Sequence, residues 1–257
     1  MNVAVVIPAR FASSRFPGKL LAPINGIPLI QRVWSRAGDS RAANRILVAT
    51  DDERIKRTIE SAGGEVILSS AVYRTGTDRI AGAAPEIKAD AYLNLQGDEL
   101  ISDGRILDEL IERFKTSRTV QMGTLMQQGD NADDWSNPNV VKVVTDSKGQ
   151  ALYFSRAGIP AHKSGPPFDS GRPPDFFKHL GIYIYSAETL EKLRNLPEGN
   201  LEKTESLEQL RALENGIPIR VWKTEFPSAR IDSPEDLLEA EKMLQTPEPE
   251  RSRTGRG

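Results

Sequence analysis

The sequence predicts an α/β fold: a mostly parallel sheet, covered by helices on both faces, with an antiparallel lobe added to it. Three features point there. Apolar runs of strand length alternate with stretches of helical periodicity through the first half of the chain. After about residue 117 the rhythm changes to strands joined by short turns. Polar, charged loops directly follow the early strands, at the edge where open parallel sheets bind ligands.

The elements follow in order. Residues 3–7 are an unbroken apolar run and read as a buried strand. A loop rich in cations comes next. Ile30, Val33, Trp34 and Ala37 recur at helical spacing. Residues 45–49 contain Ile46-Leu47-Val48, a second strand. Thr50-Asp51-Asp52 can cap a helix over 53–62, which Gly63-Gly64 stops. A third strand spans 65–68. Thr75-Gly76-Thr77-Asp78-Arg79 reads as a loop leading into a helix from Ile80. A fourth strand at 91–95 ends at Gln96-Gly97-Asp98-Glu99, and a helix at 106–114 puts Leu107, Leu110, Ile111 and Phe114 on one face.

In the second half, residues 120–126 read as a strand. Residues 140–145 and 151–155 form a hairpin around Asp146-Ser147-Lys148-Gly149-Gln150. Residues 157–175 are rich in Pro, Gly and Ser and read as a long loop. A strand at 179–185 precedes one helix over 202–214, with Leu207, Leu210 and Leu213 inward and Asn215-Gly216 at its end. A strand at 219–223 leads to Ser233-Pro234-Glu235-Asp236, a capping box with proline at the first helical position. The expected organisation is a single domain over 1–245, with its lobe at about 118–220 and a disordered tail at 246–257.

Composition narrows the function. The 257 residues are 38% hydrophobic and 27% charged, with a formal net charge of -2, so neither nucleic acid nor an anionic membrane is favoured as a partner. The absence of cysteine excludes disulfides, thiolate metal sites and a cysteine nucleophile. No signal peptide pattern or membrane-length apolar run is evident, and a cytoplasmic protein is expected.

Three polar clusters should converge at the strand ends. Arg10, Arg15 and Lys19, with Ser14, suit a polyanion such as a triphosphate. Thr75 to Arg79 forms the second cluster. Asp98, directly after a strand and a glycine, forms the third and suits a magnesium ion shared with phosphates. On position alone Asp98 serves equally as the corner of a turn. Asp232 is the best second carboxylate, although alone it reads as an exposed residue before a helix; Glu99 is a weaker candidate.

The opening loop Pro8-Ala9-Arg10 through Ser14-Arg15-Phe16-Pro17-Gly18-Lys19 resembles the nucleotide-binding signature of the sugar cytidylyltransferases, and the chain as a whole is similar to the 3-deoxy-manno-octulosonate cytidylyltransferase (CMP-Kdo synthetase) family. Further matches are Ala49-Thr50-Asp51-Asp52, Thr75-Gly76-Thr77-Asp78-Arg79 and Asn94-Leu95-Gln96-Gly97-Asp98-Glu99. Others are Asn137-Pro138-Asn139-Val140-Val141-Lys142-Val143-Val144, Ala151-Leu152-Tyr153-Phe154-Ser155-Arg156 and His179-Leu180-Gly181-Ile182-Tyr183. Ser206-Leu207-Glu208-Gln209-Leu210-Arg211 and Ile231-Asp232-Ser233-Pro234-Glu235-Asp236-Leu237 complete the series.

The resemblance implies a Rossmann-like nucleotidyltransferase fold of the glycosyltransferase-A type. It implies cytidylyl transfer from CTP to the anomeric hydroxyl of Kdo, giving CMP-Kdo and pyrophosphate for lipopolysaccharide synthesis, with Mg2+ and a homodimer formed through the lobe. By matching positions, Arg10, Ser14, Arg15 and Lys19 would hold the phosphates. Pro8, Ala9, Thr75, Gly76, Thr77, Arg79 and Gln96 would line the nucleoside pocket. Asp98 and Asp232 would bind the metal. Gln96, Arg156, His179, Tyr183, Tyr185, Glu208 and Gln209 would face the sugar acid. Leu100 stands where the family usually has proline, and Ala161-His162-Lys163-Ser164-Gly165 departs from the family's pattern. A related acid such as 8-amino-Kdo or a sialic-acid-like sugar is therefore the alternative, and a non-catalytic nucleotide-binding module is a second.

Overall fold

The computed structural model describes residues 1–12, 16–161, 163 and 175–245. Strand β1 (Val3–Ala9) is buried along its length. Val3, Val5, Ile7 and Ala9 enter one apolar cluster, and Ala4 and Val6 enter another. That period of two is what a central strand needs when helices cover both faces. After a 3-10 turn at Lys19–Leu21 and the ribbon β2 (Pro23–Ile24) and β3 (Ile27–Pro28), α1 (Leu29–Ala37) buries Leu29, Ile30, Val33 and Ala37. Then come β4 (Arg45–Thr50), α2 (Glu53–Ser61), β5 (Glu65–Leu68), α3 (Gly76–Ile87), β6 (Ala91–Leu95), β7 (Glu99–Ile101) and α4 (Arg105–Thr116). Helices α1, α2 and α4 pack on the face of Val3, Val5 and Ile7, and α3 packs on the other.

The remainder comprises β8 (Met122–Gln128), α5 (Ala132–Ser136), β9 (Lys142–Thr145), β10 (Ala151–Ser155), β11 (Phe177–Ser186), α6 (Ala187–Asn195), α7 (Asn200–Glu205), α8 (Leu210–Glu214), β12 (Arg220–Lys223), β13 (Ser228–Arg230) and α9 (Pro234–Gln245). Among the described residues the main sheet runs β10-β9-β11-β6-β1-β4-β5, with β8 on β11 and β12 on β8. It is parallel across β6-β1-β4-β5. It turns antiparallel at β11, which pairs with β6, β8 and β9. The α/β class holds, and the antiparallel strands extend the same sheet.

Two expectations need correction. The helix expected from Ile80 begins at Gly76, because the Thr75 side chain accepts from the Asp78 N–H and caps it. Thr77, Asp78 and Arg79 are therefore first-turn residues, not loop residues. The single helix expected over 202–214 is two short helices, interrupted at Ser206, whose φ is 51°. Arg211 folds back across the break onto Glu202, Nε to Oε2 at 2.8 Å, and this ion pair fixes the bend. The capping box at 233–236 is present: Asp236 accepts from the Asp232 and Ser233 N–H groups, each at 2.7 Å. Most of the long loop, with Ser14, Arg15 and the tail at 246–257, lies outside the described residues.

Candidate active site

The carboxyl ends of β1 and β6 meet at one edge of the sheet. Gly97 permits this approach, since a Cβ there would lie 3.1 Å from the Pro8 carbonyl and 3.2 Å from Ile30 Cδ1. Asp98 follows at once. A backbone hydrogen bond from Ile231 N to the Asp98 carbonyl, 2.9 Å, brings the start of α9 alongside. Lys19, largely buried, then places its ammonium 2.6 Å from Asp98 Oδ2 and 3.2 Å from Asp232 Oδ1. Arg230 Nε holds the other Asp232 oxygen at 3.2 Å. Residues far apart in sequence thus form one charge-balanced group. Glu99 sits opposite Arg230 in the β7–β13 pairing. It turns to Ser228 Oγ at 2.6 Å, and burial pushes its carboxyl up from the ordinary value.

This group opens onto a cleft of about 820 Å3, large enough for a nucleotide and a sugar. Pro8, Ala9, Arg10, Thr75, Gly76, Arg79 and Gln96 line one part of it. The Gln96 amide donates to Asn94 Oδ1 at 2.9 Å. Gly76 leaves room for that amide, because a Cβ there would stand 2.9 Å from it. Arg79 bonds Asp51 Oδ2 through Nη2 at 2.6 Å; its Nη1 is buried without a hydrogen-bond partner among the described residues.

Arg156, His179, Tyr183, Glu208 and Gln209 line the other part, together with Asn139, Val140 and Lys178. Arg156 is anchored by backbone carbonyls, Nε to Glu205 O at 2.7 Å and Nη1 to Pro138 O at 2.9 Å. His179 packs edge-on to Phe154 and beside Tyr183. Its Nε2 lies 3.1 Å from Thr124 Oγ1. The Thr124 hydroxyl hydrogen is committed to the Ile182 carbonyl at 2.7 Å, which makes Nε2–H the donor to Thr124 Oγ1. Desolvation, helped by Arg230, pushes this imidazole down to about 3. Burial raises Tyr183 well above its ordinary range, and its hydroxyl has no hydrogen-bond partner among the described residues. Such an orphan in a cleft wall invites a polar ligand.

Glu208 sits in the bend between α7 and α8, where its carboxylate accepts from Thr77 Oγ1. Burial pushes it up to about 7. Thr77 and Tyr185 stand behind the cleft wall rather than in it, with their hydroxyl oxygens 3.3 Å apart. Sequence reading assigned no role to Arg230, Ser228, Asn94, Glu205 or Lys142. Arg230 carried a signal, being two residues before Asp232.

A parallel sheet edge with cations, paired carboxylates and a cleft of this size fits a nucleotidyltransferase. The family model described as Cytidylyltransferase matches residues 4–223. A 3-deoxy-manno-octulosonate cytidylyltransferase of Thermodesulfovibrio yellowstonii is 46% identical over 254 residues, covering 96% of this chain and 99% of that one. Another from Geobacter sulfurreducens is 44% identical, covering 95% and 99%. The solved structure of CMP:2-keto-3-deoxy-manno-octonic acid synthetase complexed with CTP superposes with a TM-score of 0.85 at 35% identity, covering 95% of this chain and 98% of that one. The chain belongs to the 3-deoxy-manno-octulosonate cytidylyltransferase family.

Proposed function

We propose that the chain transfers the cytidylyl group of CTP to the anomeric hydroxyl of Kdo, releasing pyrophosphate and forming CMP-Kdo, the sugar donor that the resemblance places in lipopolysaccharide synthesis. The observation that carries this reading is the group Lys19, Asp98 and Asp232 at the strand ends, facing a cleft whose far wall is set with Arg156, His179, Tyr183, Glu208 and Gln209. The likeness to a CTP-bound relative supports the nucleotide.

The attacking hydroxyl must approach the α-phosphorus in line with the leaving pyrophosphate. Lys19 and Arg10, joined by Arg15 in this reading, bind the phosphates and offset the charge that grows on the leaving group. The first-turn N–H groups of α3 and the Arg79 guanidinium face the nucleoside. Arg156 takes the sugar carboxylate, and Tyr183, His179, Gln96, Glu208 and Gln209 meet its hydroxyls. Two carboxylates gathered around one cation fit magnesium as hard oxygen donors, so Asp98 and Asp232 would hold it. Bound there, the ion would neutralise phosphate charge. Pyrophosphate release with CTP, magnesium and Kdo tests the reading. Activity should fall sharply with UTP and with other 2-keto sugar acids. No release with Kdo, but release with 8-amino-Kdo or a sialic acid, would assign the related sugar instead.

The reading extends to a cytoplasmic homodimer, joined through the lobe at 118–220. Strand β10 ends the sheet, and Leu152 on it is 61% exposed. Light scattering on the eluting protein should give twice the 28.4 kDa chain mass; a monomer at assay concentrations would refute the dimer.

A further inference from the structure

Lys142 opens β9 and is fully buried. Its ammonium has three donors, and three backbone carbonyls take them: Asn137 O at 2.8 Å, Val140 O at 2.5 Å and Arg156 O at 2.8 Å. No carboxylate is among these partners. The acceptors come from two separate stretches of chain, and both reach the cleft: Asn139 and Val140 line it from one, Arg156 from the other. The tie runs both ways, because Arg156 Nη1 returns to the Pro138 carbonyl at 2.9 Å.

We propose that Lys142 is a positioning residue for the acid-binding end of the cleft, its ammonium clamping residues 137–140 to the Arg156 backbone so that the Arg156 guanidinium is aimed at the sugar carboxylate. This rests on the reading of the substrate given above. Ordinary packing does not account for a charged lysine here. Desolvation lowers its pKa to about 8, opposed by Asp134 from α5 and Glu205 from α7 and aided by Arg156 beyond β10. At neutral pH the charged form is therefore an energetic burden on the fold, since the unfolded chain holds its proton more tightly. What the charge supplies is a third donor. A neutral amine has two N–H groups for three carbonyls and turns a lone pair toward one of them. The clamp should therefore slacken as pH rises through about 8, and sugar-acid binding should weaken with it.

Steady-state pyrophosphate release, with CTP and Kdo varied separately from about pH 7 to about pH 9.5, tests this. Lys142→Met should raise the KM for Kdo on the order of tenfold near neutrality and leave that for CTP within about twofold. The wild-type KM for Kdo should climb above about pH 8, and that of Lys142→Met should not. Lys142→Arg stays charged, so it should bind Kdo without the alkaline climb. Three results would overturn the proposal: an unchanged KM for Kdo in a folded Lys142→Met protein, CTP and Kdo constants rising in step, or an alkaline climb that survives in Lys142→Arg. Hydrogen–deuterium exchange over 137–142 in the free enzyme reads the clamp without Kdo. It should quicken on the order of tenfold in Lys142→Met, and unchanged exchange would refute the clamp. A wild type that ignores Kdo refutes the substrate reading alone.

Discussion

The two ends of the cleft handle charge in opposite ways. At the phosphate end, Lys19 answers Asp98 and Asp232 directly across the cleft floor, and Arg10 stands exposed beside them. Ions of both signs are present and nearly cancel. At the sugar end Lys178 pairs with Asp134 at 2.8 Å, but the groups expected to meet the ligand's hydroxyls are mostly uncharged. His179 is neutral, Tyr183 keeps its proton and Glu208 is pushed toward neutrality. The first end suits a polyanion whose charge shifts during reaction. The second suits a ligand read through hydroxyls, where fixed donors and acceptors in a desolvated wall discriminate better than mobile ions. Arg156 is the exception at that end, a guanidinium anchored on the Glu205, Pro138 and Ser206 carbonyls.

The sharpest way to break this contrast is at the phosphate end. Asp98→Ala or Asp232→Ala should lower turnover by on the order of a thousandfold or more. Either change removes one of the two carboxylates that gather the cation while leaving the apolar clusters intact. Circular dichroism and thermal melting should stay close to wild type. Near-normal pyrophosphate release by either variant would refute the paired-carboxylate metal site.

How much of this was legible in the sequence follows the same division. The phosphate end was largely readable, because its cations lie within one short loop after an apolar strand, and Asp98 directly follows a strand and a glycine. Its partner Asp232 stood out from position as the best second carboxylate, but only the family resemblance favoured a ligand over an exposed residue before a helix. The link that brings it in, β13 on β7, is three residues long and too short to show a period. The sugar end was poorly readable. Leu207, Leu210 and Leu213 are spaced as in a helix, so the bend at Ser206 that carries Glu208 into the wall was invisible. That bend is set by tertiary partners: Arg211 on Glu202, and Glu205 on Ser155 and the Arg156 N–H. Lys142 was hidden differently. Flanked by Val141 and Val143, it occupies the position that strand alternation assigns to solvent, yet all three residues are buried. No local pattern announces a strand buried on both faces by a turn and a neighbouring arginine.

A smaller and more exacting test concerns Glu208 and uses stability rather than turnover. Its carboxyl titrates near 7 in the folded protein and near its ordinary 4.5 when unfolded. Below the unfolded value both states are protonated, and the group's favourable contribution is fully present. As pH rises from about 4.5 to about 7, the unfolded chain ionises first and draws the equilibrium away from the fold. Above 7 the fold carries a desolvated carboxylate, which Thr77 and Thr75 hydrogen bonds only partly relieve. Glu208→Gln has no such cost. Its melting temperature should exceed wild type by on the order of a few degrees at about pH 8, and the gain should vanish toward about pH 4.5. The same variant should bind the sugar acid less well, because an amide cannot accept at both positions where a carboxylate can. His179 has the opposite sense: kept neutral down to about 3, it makes the fold less stable as pH falls below about 6.5. Melting curves of wild type and Glu208→Gln across this range separate the two groups. A stability difference that does not change with pH would mean that Glu208 stays ionised in the wall, and the sugar end would then be as charged as the phosphate end.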